Sequence, residues 1–245
     1  MGNPSRRLGT AIRNALLRRG AALVGFAGLS EIPPHARHSL PFAISIAVSL
    51  NPRVIAGIRR GPTPEYLAEY HRANALLATL AGEAAEMLQQ RGFQAVASAP
   101  TVSGVRMGEC DTPLPHKTVA TRAGLGWIGR CALLVTEAYG SAVRLTTVLT
   151  DAPLEAAGAV NESRCGDCRA CVEACPGGAI AGALWRAGLP REAMVDPDAC
   201  YRTTRRFAPA IGAAPDTGIC GACIAACPWT ERYLRAAWGQ ARGGG

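Results

Sequence analysis

Apolar positions in this chain change period several times, and each change marks an expected element. Over residues 7–19 Leu8, Ile12, Leu16 and Leu17 share one helical face, arginines occupy the other, and Gly20 supplies a stop. Residues 22–26 then read as a buried strand, and residues 42–48 form the clearest strand of the chain. The stretch 63–91 has helix grammar: Thr63 as N-cap, Pro64 at the first position, Glu65 in the first turn and Gly92 past the end. Strands are expected at 93–99, 131–135 and 143–149, and a short helix at 116–123. Helices interleaved with strands predict an α/β or α+β sheet domain over residues 1–155. A Pro/Ala/Gly linker at 152–162 leads into a different kind of sequence, residues 156–245.

That second part is defined by cysteine rather than by periodicity. Eight of the ten cysteines fall here. The first run is Cys165-x2-Cys168-x2-Cys171-x3-Cys175-Pro176, the spacing of bacterial ferredoxins, in which the fourth cysteine serves the other cluster. The second run, Cys220-x2-Cys223-x3-Cys227-Pro228, has Thr217 where a first ligand would stand, and Cys200 upstream replaces it. The count suits two 4Fe-4S clusters. One is expected on Cys165, Cys168, Cys171 and Cys227, the other on Cys175, Cys200, Cys220 and Cys223, in a ferredoxin-like module. Zinc favours paired C-x2-C units separated by a longer loop, so three cysteines in seven residues suit it poorly. A disulfide framework belongs to small secreted domains. Cys110 and Cys131 fall outside this arithmetic and read as buried apolar thiols.

Charge is unevenly placed. The net charge is +8, and residues 1–60 alone hold nine arginines against Glu31. Residues 61–160 carry seven basic and nine acidic side chains, and residues 161–245 ten and eight. A basic N-terminal face suits RNA or another polyanion; a solvated helix face is the plain alternative. No apolar run is long enough for a membrane helix, and the arginines after Arg6-Arg7 break any signal core. Oxygen-sensitive thiolate clusters without an export pattern lead to an expectation of a cytoplasmic protein with no membrane contact.

Two further features bear on chemistry. Gly124-Leu-Gly126-Trp127-Ile-Gly129 matches G-x-G-x-x-G in letters, but a helix is expected before it and a strand after it, the reverse of a dinucleotide-binding turn. Three glycines in six residues let backbone approach a flat ligand or fold tightly on itself. Lys117 is the only lysine beside twenty-five arginines, and it follows His116. A compact ammonium and an imidazole do what guanidinium does not in proton donation. Asp111, five residues before His116, is a candidate acid if buried.

The run HKTVATRAGLGWIGRCALLVTEAYGSAVRLTTVLTDAPL from His116, with CGDCRACVEACPGGAI and ICGACIAACPWT, resembles the epoxyqueuosine reductase family. The likeness is strong over 116–229 and weak over 1–110. It implies a cobalamin- and iron–sulfur-dependent reductase of tRNA queuosine maturation, related in chemistry to reductive dehalogenases. The implied arrangement is a cobalamin in the sheet domain, with Gly124, Gly126, Trp127 and Gly129 as expected contacts, fed with electrons by the two clusters. An external donor (ferredoxin, flavodoxin or a reductase) is implied, and tRNA as substrate carrier. Asp111-Thr112-Pro113 resembles the family's proton-donating stretch, with Lys117 and His116 beside it. Full-size members continue into a helical region after the second cysteine run; this sequence ends at Gly245 and reads as a short form. The competing reading is a non-catalytic electron-transfer protein that docks on a partner reductase.

Overall fold

The computed structural model describes residues 4–101, 107–108, 112–214 and 217–242. Helix α1 (Pro4–Arg18) leads into β1 (Leu23–Gly28), then β2 (Phe42–Ser49), the short α2 (Pro52–Ala56) and the long α3 (Pro64–Gln89). The Thr63 hydroxyl accepts from the Tyr66 N–H at 3.2 Å, the expected cap. Strand β3 (Ala95–Ala97), helix α4 (His116–Arg122), the two-residue strands β4 (Trp127–Ile128) and β5 (Leu134–Val135), and β6 (Val143–Thr150) follow.

The main sheet runs in the order β1-β2-β6-β3 and every pairing is antiparallel. Of the two fold classes open from sequence, the structure is α+β. Register explains why β2 reads as one continuous apolar run. Phe26, Ile44 and Val148 lie in register and face α1 and α3, while Ala27, Ala43 and Leu149, one residue on, face α4. With helices on both faces, neither phase of the alternation is free to be polar.

Two expected strands are shorter than their sequence pattern. β3 is an edge strand with Val96 substantially exposed. The run 131–135 pairs only at Leu134–Val135, because Ala132 takes a left-handed φ of 58° and closes a turn in which its N–H donates to the Gly129 carbonyl at 2.9 Å.

In the cysteine-rich part, α5 (Ala170–Glu173) carries Cys171, α7 (Ala222–Ala225) carries Cys223, and the two pack on each other. Helix α6 (Pro197–Phe207) carries Cys200, and α8 (Pro228–Arg242) follows Cys227. This part is welded to the sheet. Ile219, Ile224 and Leu234 belong to the same apolar core as α1, α3 and β2. Gly140 lets the start of α8 close in, since a Cβ there would meet the Thr230 nitrogen at 2.2 Å, and the Tyr233 hydroxyl donates to the Leu50 carbonyl at 2.8 Å. One core therefore crosses the sequence boundary at 155/156. No helix among the described residues is long and apolar enough to cross a membrane.

Candidate electron-transfer and cofactor site

Cys165, Cys168, Cys171 and Cys227 line a single cavity of about 270 Å³. Three come from the first run and one from the second, the same four cysteines that the spacing groups together. The loops do this by local means. Cys165–Cys171 is a turn tightened by the Cys168 N–H donating to the Cys165 carbonyl at 3.2 Å. Cys227 immediately precedes α8, and the backbone N–H groups of Trp229 and Thr230 point at its sulfur. Those donors favour a thiolate, while burial pushes the Cys227 thiol up and is the larger effect. A ring of thiols around a void fits a cubane cluster. Among the described residues no three His, Cys, Asp or Glu side chains converge closely enough to hold a single metal ion.

The second expected set is assembled more loosely. Cys175 and Cys220 are close enough for the charge of one to raise the thiol pKa of the other, although burial is the main cause at Cys220. Cys223 lies beside Cys175 in the apolar cluster under α5 and α7. Gly177 brings α6 onto the turn after Cys175: a Cβ there would fall 2.1 Å from the Thr203 hydroxyl and 3.2 Å from the Ala199 carbonyl, next to Cys200.

A cleft of about 630 Å³ opens on the other side of the chain segment 128–132. Ile128 and Ala132 face this cleft, whereas Gly129, Arg130 and Cys131 face the thiol cavity. The turn 128–132 thus borders both. Glu31, Lys117, Arg122, Trp185 and Met194 line the rest. The Lys117 ammonium donates to the Ala132 carbonyl at 2.7 Å and so ties α4 to the wall. Arg122 is buried; it pairs with Glu31 at 2.6 Å and donates to the Val160 carbonyl at 3.3 Å, yet its Nε has no protein partner. That Nε is sealed from the cleft, but the cleft sets the Lys117 and Arg122 side chains beside an apolar wall of Ile128, Trp185 and Met194, surroundings that an amide-fringed corrin would suit.

The glycine loop has a different employment from the one expected. Gly124, Gly126 and Trp127 do not line the large cleft; they border a separate 240 Å³ hollow. A Cβ on Gly126 would lie 2.1 Å from the Val135 carbonyl, and one on Gly124 3.0 Å from the Gly158 carbonyl. Gly129 packs on Val135 at the edge of the thiol cavity. Close approach is indeed what the glycines permit, but the approaching surfaces are β5 and the 156–160 linker. Trp127 is buried against Cys165, Cys227 and Trp229. None of these four residues, the expected corrin contacts, is in the lining of the large cleft, and beside Gly124 and Gly126 the nearest atoms are the carbonyls of Gly158 and Val135.

His116 is held at both nitrogens, by the Thr147 hydroxyl at 2.8 Å and the Ala99 carbonyl at 2.9 Å. A carbonyl only accepts, so Nε2 carries the proton and Nδ1 accepts from Thr147. Burial keeps the imidazole below its ordinary pKa, which agrees with a neutral ring whose one proton is committed. Asp111 and Cys110 lie outside the described residues.

Sequence reasoning missed Arg122, Arg130 and Trp185. Arginine is so common here that two buried ones give no signal. Arg130 is buried behind the thiol cavity, where its guanidinium bonds the carbonyls of Gly166 and Gly182.

With this geometry in place, comparison with known proteins is informative. Residues 164–231 match the 4Fe-4S dicluster domain. Epoxyqueuosine reductase from Gloeobacter violaceus is 37% identical over 136 residues, 52% of this chain and 39% of the relative. This chain is similar to the epoxyqueuosine reductases over about half its length. It spans well under half the length of the curated members it matches first. Two solved structures share the fold. A reductive dehalogenase described as suggesting a mechanism for B12-dependent dehalogenation superposes with a TM-score of 0.71 at 18% identity, covering 96% of this chain and 34% of that one. An epoxyqueuosine reductase bound to an epoxyqueuosine-modified tRNA-Tyr stem loop gives 0.61 at 17% identity, covering 92% and 66%.

Proposed function

We propose that this chain is an iron–sulfur reductase of the epoxyqueuosine reductase type, using two 4Fe-4S clusters and a cobalamin. The observation that carries this reading is the shared wall: Cys131 faces the thiol cavity and Ala132, its neighbour, faces the large cleft. A redox centre held by Cys165, Cys168, Cys171 and Cys227 and a ligand in the cleft would then both border the turn 128–132. When bound, the clusters supply single electrons and the cobalamin supplies a strongly reducing metal.

The chain's own residues bind, orient and exclude water. Ile128 and Ala132 give the cleft an apolar floor, Trp185 and Met194 give it an apolar side, and Arg122 and Lys117 present donors. Lys117 holds the wall by its bond to the Ala132 carbonyl. Asp111 remains the proposed proton donor, with Lys117 next; His116 serves as a brace, because its proton is engaged. Cys168 and Cys200 are exposed, which supports electron entry from an external donor protein on that side. The strongly basic segment 1–60 suits a tRNA, and the named substrate of the relatives, epoxyqueuosine, is the proposed one here.

The decisive experiment is a cobalamin titration of the anaerobically reconstituted protein, followed by visible spectroscopy. We expect saturable binding that Ala132→Trp abolishes without loss of iron. No spectral change at any cobalamin concentration overturns the cobalamin assignment and leaves an electron-transfer protein.

A further inference from the structure

Among the described residues two arginines are buried, Arg122 and Arg130, each 8% exposed. Arg122 faces the Glu31 carboxylate at 2.6 Å. Arg130 is different: no carboxylate among the described residues lies within ion-pair distance of it. Its guanidinium bonds the carbonyls of Gly166 and Gly182, and its Nε has no protein partner. A second guanidinium closes on the same loop, since a Cβ on Gly182 would lie 2.8 Å from Arg169 Nη2. Carbonyls satisfy the direction of the N–H groups but leave the charge in place, and a buried charge without a counter-charge is costly.

What Arg130 borders is the cavity of the four thiols. It lines that cavity with Cys165, Cys168, Cys171 and Cys227, and no Asp or Glu among the described residues joins them. The residue before it, Gly129, comes so near that a Cβ there would lie 3.6 Å from Cys165 Sγ. Arg164 and Arg232 line the cavity too, but both are exposed, and solvent screens their charges. An oxidised 4Fe-4S core with four thiolates carries a net charge of about −2, and reduction adds one more negative charge. A fixed cation in a poorly solvated site attracts the reduced state more than the oxidised one.

We propose that Arg130 is the buried counter-charge of the first cluster, stabilising it in its cavity and raising its reduction potential. The proposal rests on the two-cluster reading above. One electron enters the cluster from the external donor protein; no bond forms or breaks and no proton moves at Arg130.

The test is a redox titration monitored by electron paramagnetic resonance on the anaerobically reconstituted full chain, with iron counted in parallel. The parent protein should hold about eight iron. Fewer than that overturns the two-cluster reading itself, and this proposal with it. Arg130→Gln keeps a hydrogen-bonding side chain without the charge, and Arg130→Lys keeps the charge without the planar fork. The glutamine variant should move the reduction equilibrium of one cluster about tenfold toward the oxidised form, about 59 mV for one electron, and leave the other cluster in place. The lysine variant should keep the parent's potentials in all the iron it retains. Should Arg130→Gln hold too little of the first cluster to titrate, that loss beside retention in Arg130→Lys supports the proposal equally, because both variants break the fork and only one removes the charge. Unchanged potentials in a titratable Arg130→Gln overturn the proposal. So does a lysine variant that shifts as the glutamine variant does, or complete loss of the first cluster in both, which a role confined to holding the two loops would produce.

Discussion

Trp127 and Trp229 meet edge to face, with ring centroids 4.9 Å apart and planes at 75°. One belongs to the glycine loop and the other to the residue after Cys227-Pro228, so this contact joins the sheet part to the second cysteine run beside the first thiol cavity. Arg164 lies over the Trp127 ring at 5.3 Å and Arg232 over the Trp229 ring at 4.3 Å. An aromatic pair of this geometry adds about 0.5–1.5 kcal/mol beyond its buried area. Trp229→Ala should leave the fold intact yet open the cavity to water and oxygen. The expected result is faster loss of iron and sulfide in air than in the parent, measured by the decay of the visible charge-transfer band. An unchanged decay would mean that Trp229 does not shield the site.

Arg130 holds the loop of the first cysteine run by the Gly166 carbonyl and a second loop by the Gly182 carbonyl. Its burial strengthens both bonds, and the buried Gly182 carbonyl is costly to orphan, about 1–3 kcal/mol, whereas Gly166 is exposed. Arg130→Met keeps the apolar stem and removes the donors. It should lower the thermal midpoint by several degrees and reduce iron occupancy by about half, through loss of the first cluster alone. Iron analysis with Mössbauer or electron paramagnetic resonance spectra distinguishes this from a general loss. Arg130→Lys, with a compact ammonium that cannot span two carbonyls in one plane, should rescue only in part.

Gly126 offers a test of the revised role of the glycine loop. A side chain at this position would collide with the Val135 carbonyl, so Gly126→Val should break the β4–β5 pairing and cost several kcal/mol. Iron and cobalamin binding should be lost together, with a lowered melting temperature. A Gly126→Val protein that retains its iron but no longer binds cobalamin would restore the loop as a corrin contact.

His116 makes a prediction about pH. Burial depresses its folded-state pKa, whereas the unfolded chain titrates near the ordinary value of about 6.5. Below that pH the unfolded state takes up a proton that the folded state resists, so stability should fall as pH drops below about 6.5 and level off below the folded-state pKa. His116→Gln keeps a hydrogen-bonding side chain without the titration, and should flatten this part of the stability curve. The check is denaturant unfolding of both proteins at pH 5–8. Equal pH dependence in both would assign the effect to other groups.

Cys200 tests the second ligand set. Cys200→Ala should cost one cluster and spare the other, because Cys165, Cys168, Cys171 and Cys227 are gathered independently around their own cavity. A variant that still holds about eight iron would show that another residue completes the set.

Much of this protein is legible in its sequence because the physics involved is local. Thr63 caps α3 through a hydroxyl three residues from the amide it accepts from. The C-x2-C-x2-C turn places thiols on one void within seven residues, and the continuous apolar run of β2 states that both faces are covered. What lies opposite what is not a local property. That Cys227 closes the first cavity agrees with the spacing, but the place of that cavity behind residues 129–131, with the large cleft in front of 128 and 132, depends on a turn at Ala132 that no residue preference announces. The same turn cut short a strand that the apolar run 131–135 suggested. The glycines were rightly read as permitting close approach, yet only the packed chain shows that Val135 and Gly158 are what approaches. Cys131 was read as a buried thiol, and it is buried. That it shares an apolar cluster with Cys171, against which Cys223 also packs, forty and ninety-two positions away, arises from long-range packing of α5 and α7, which sequence spacing does not encode.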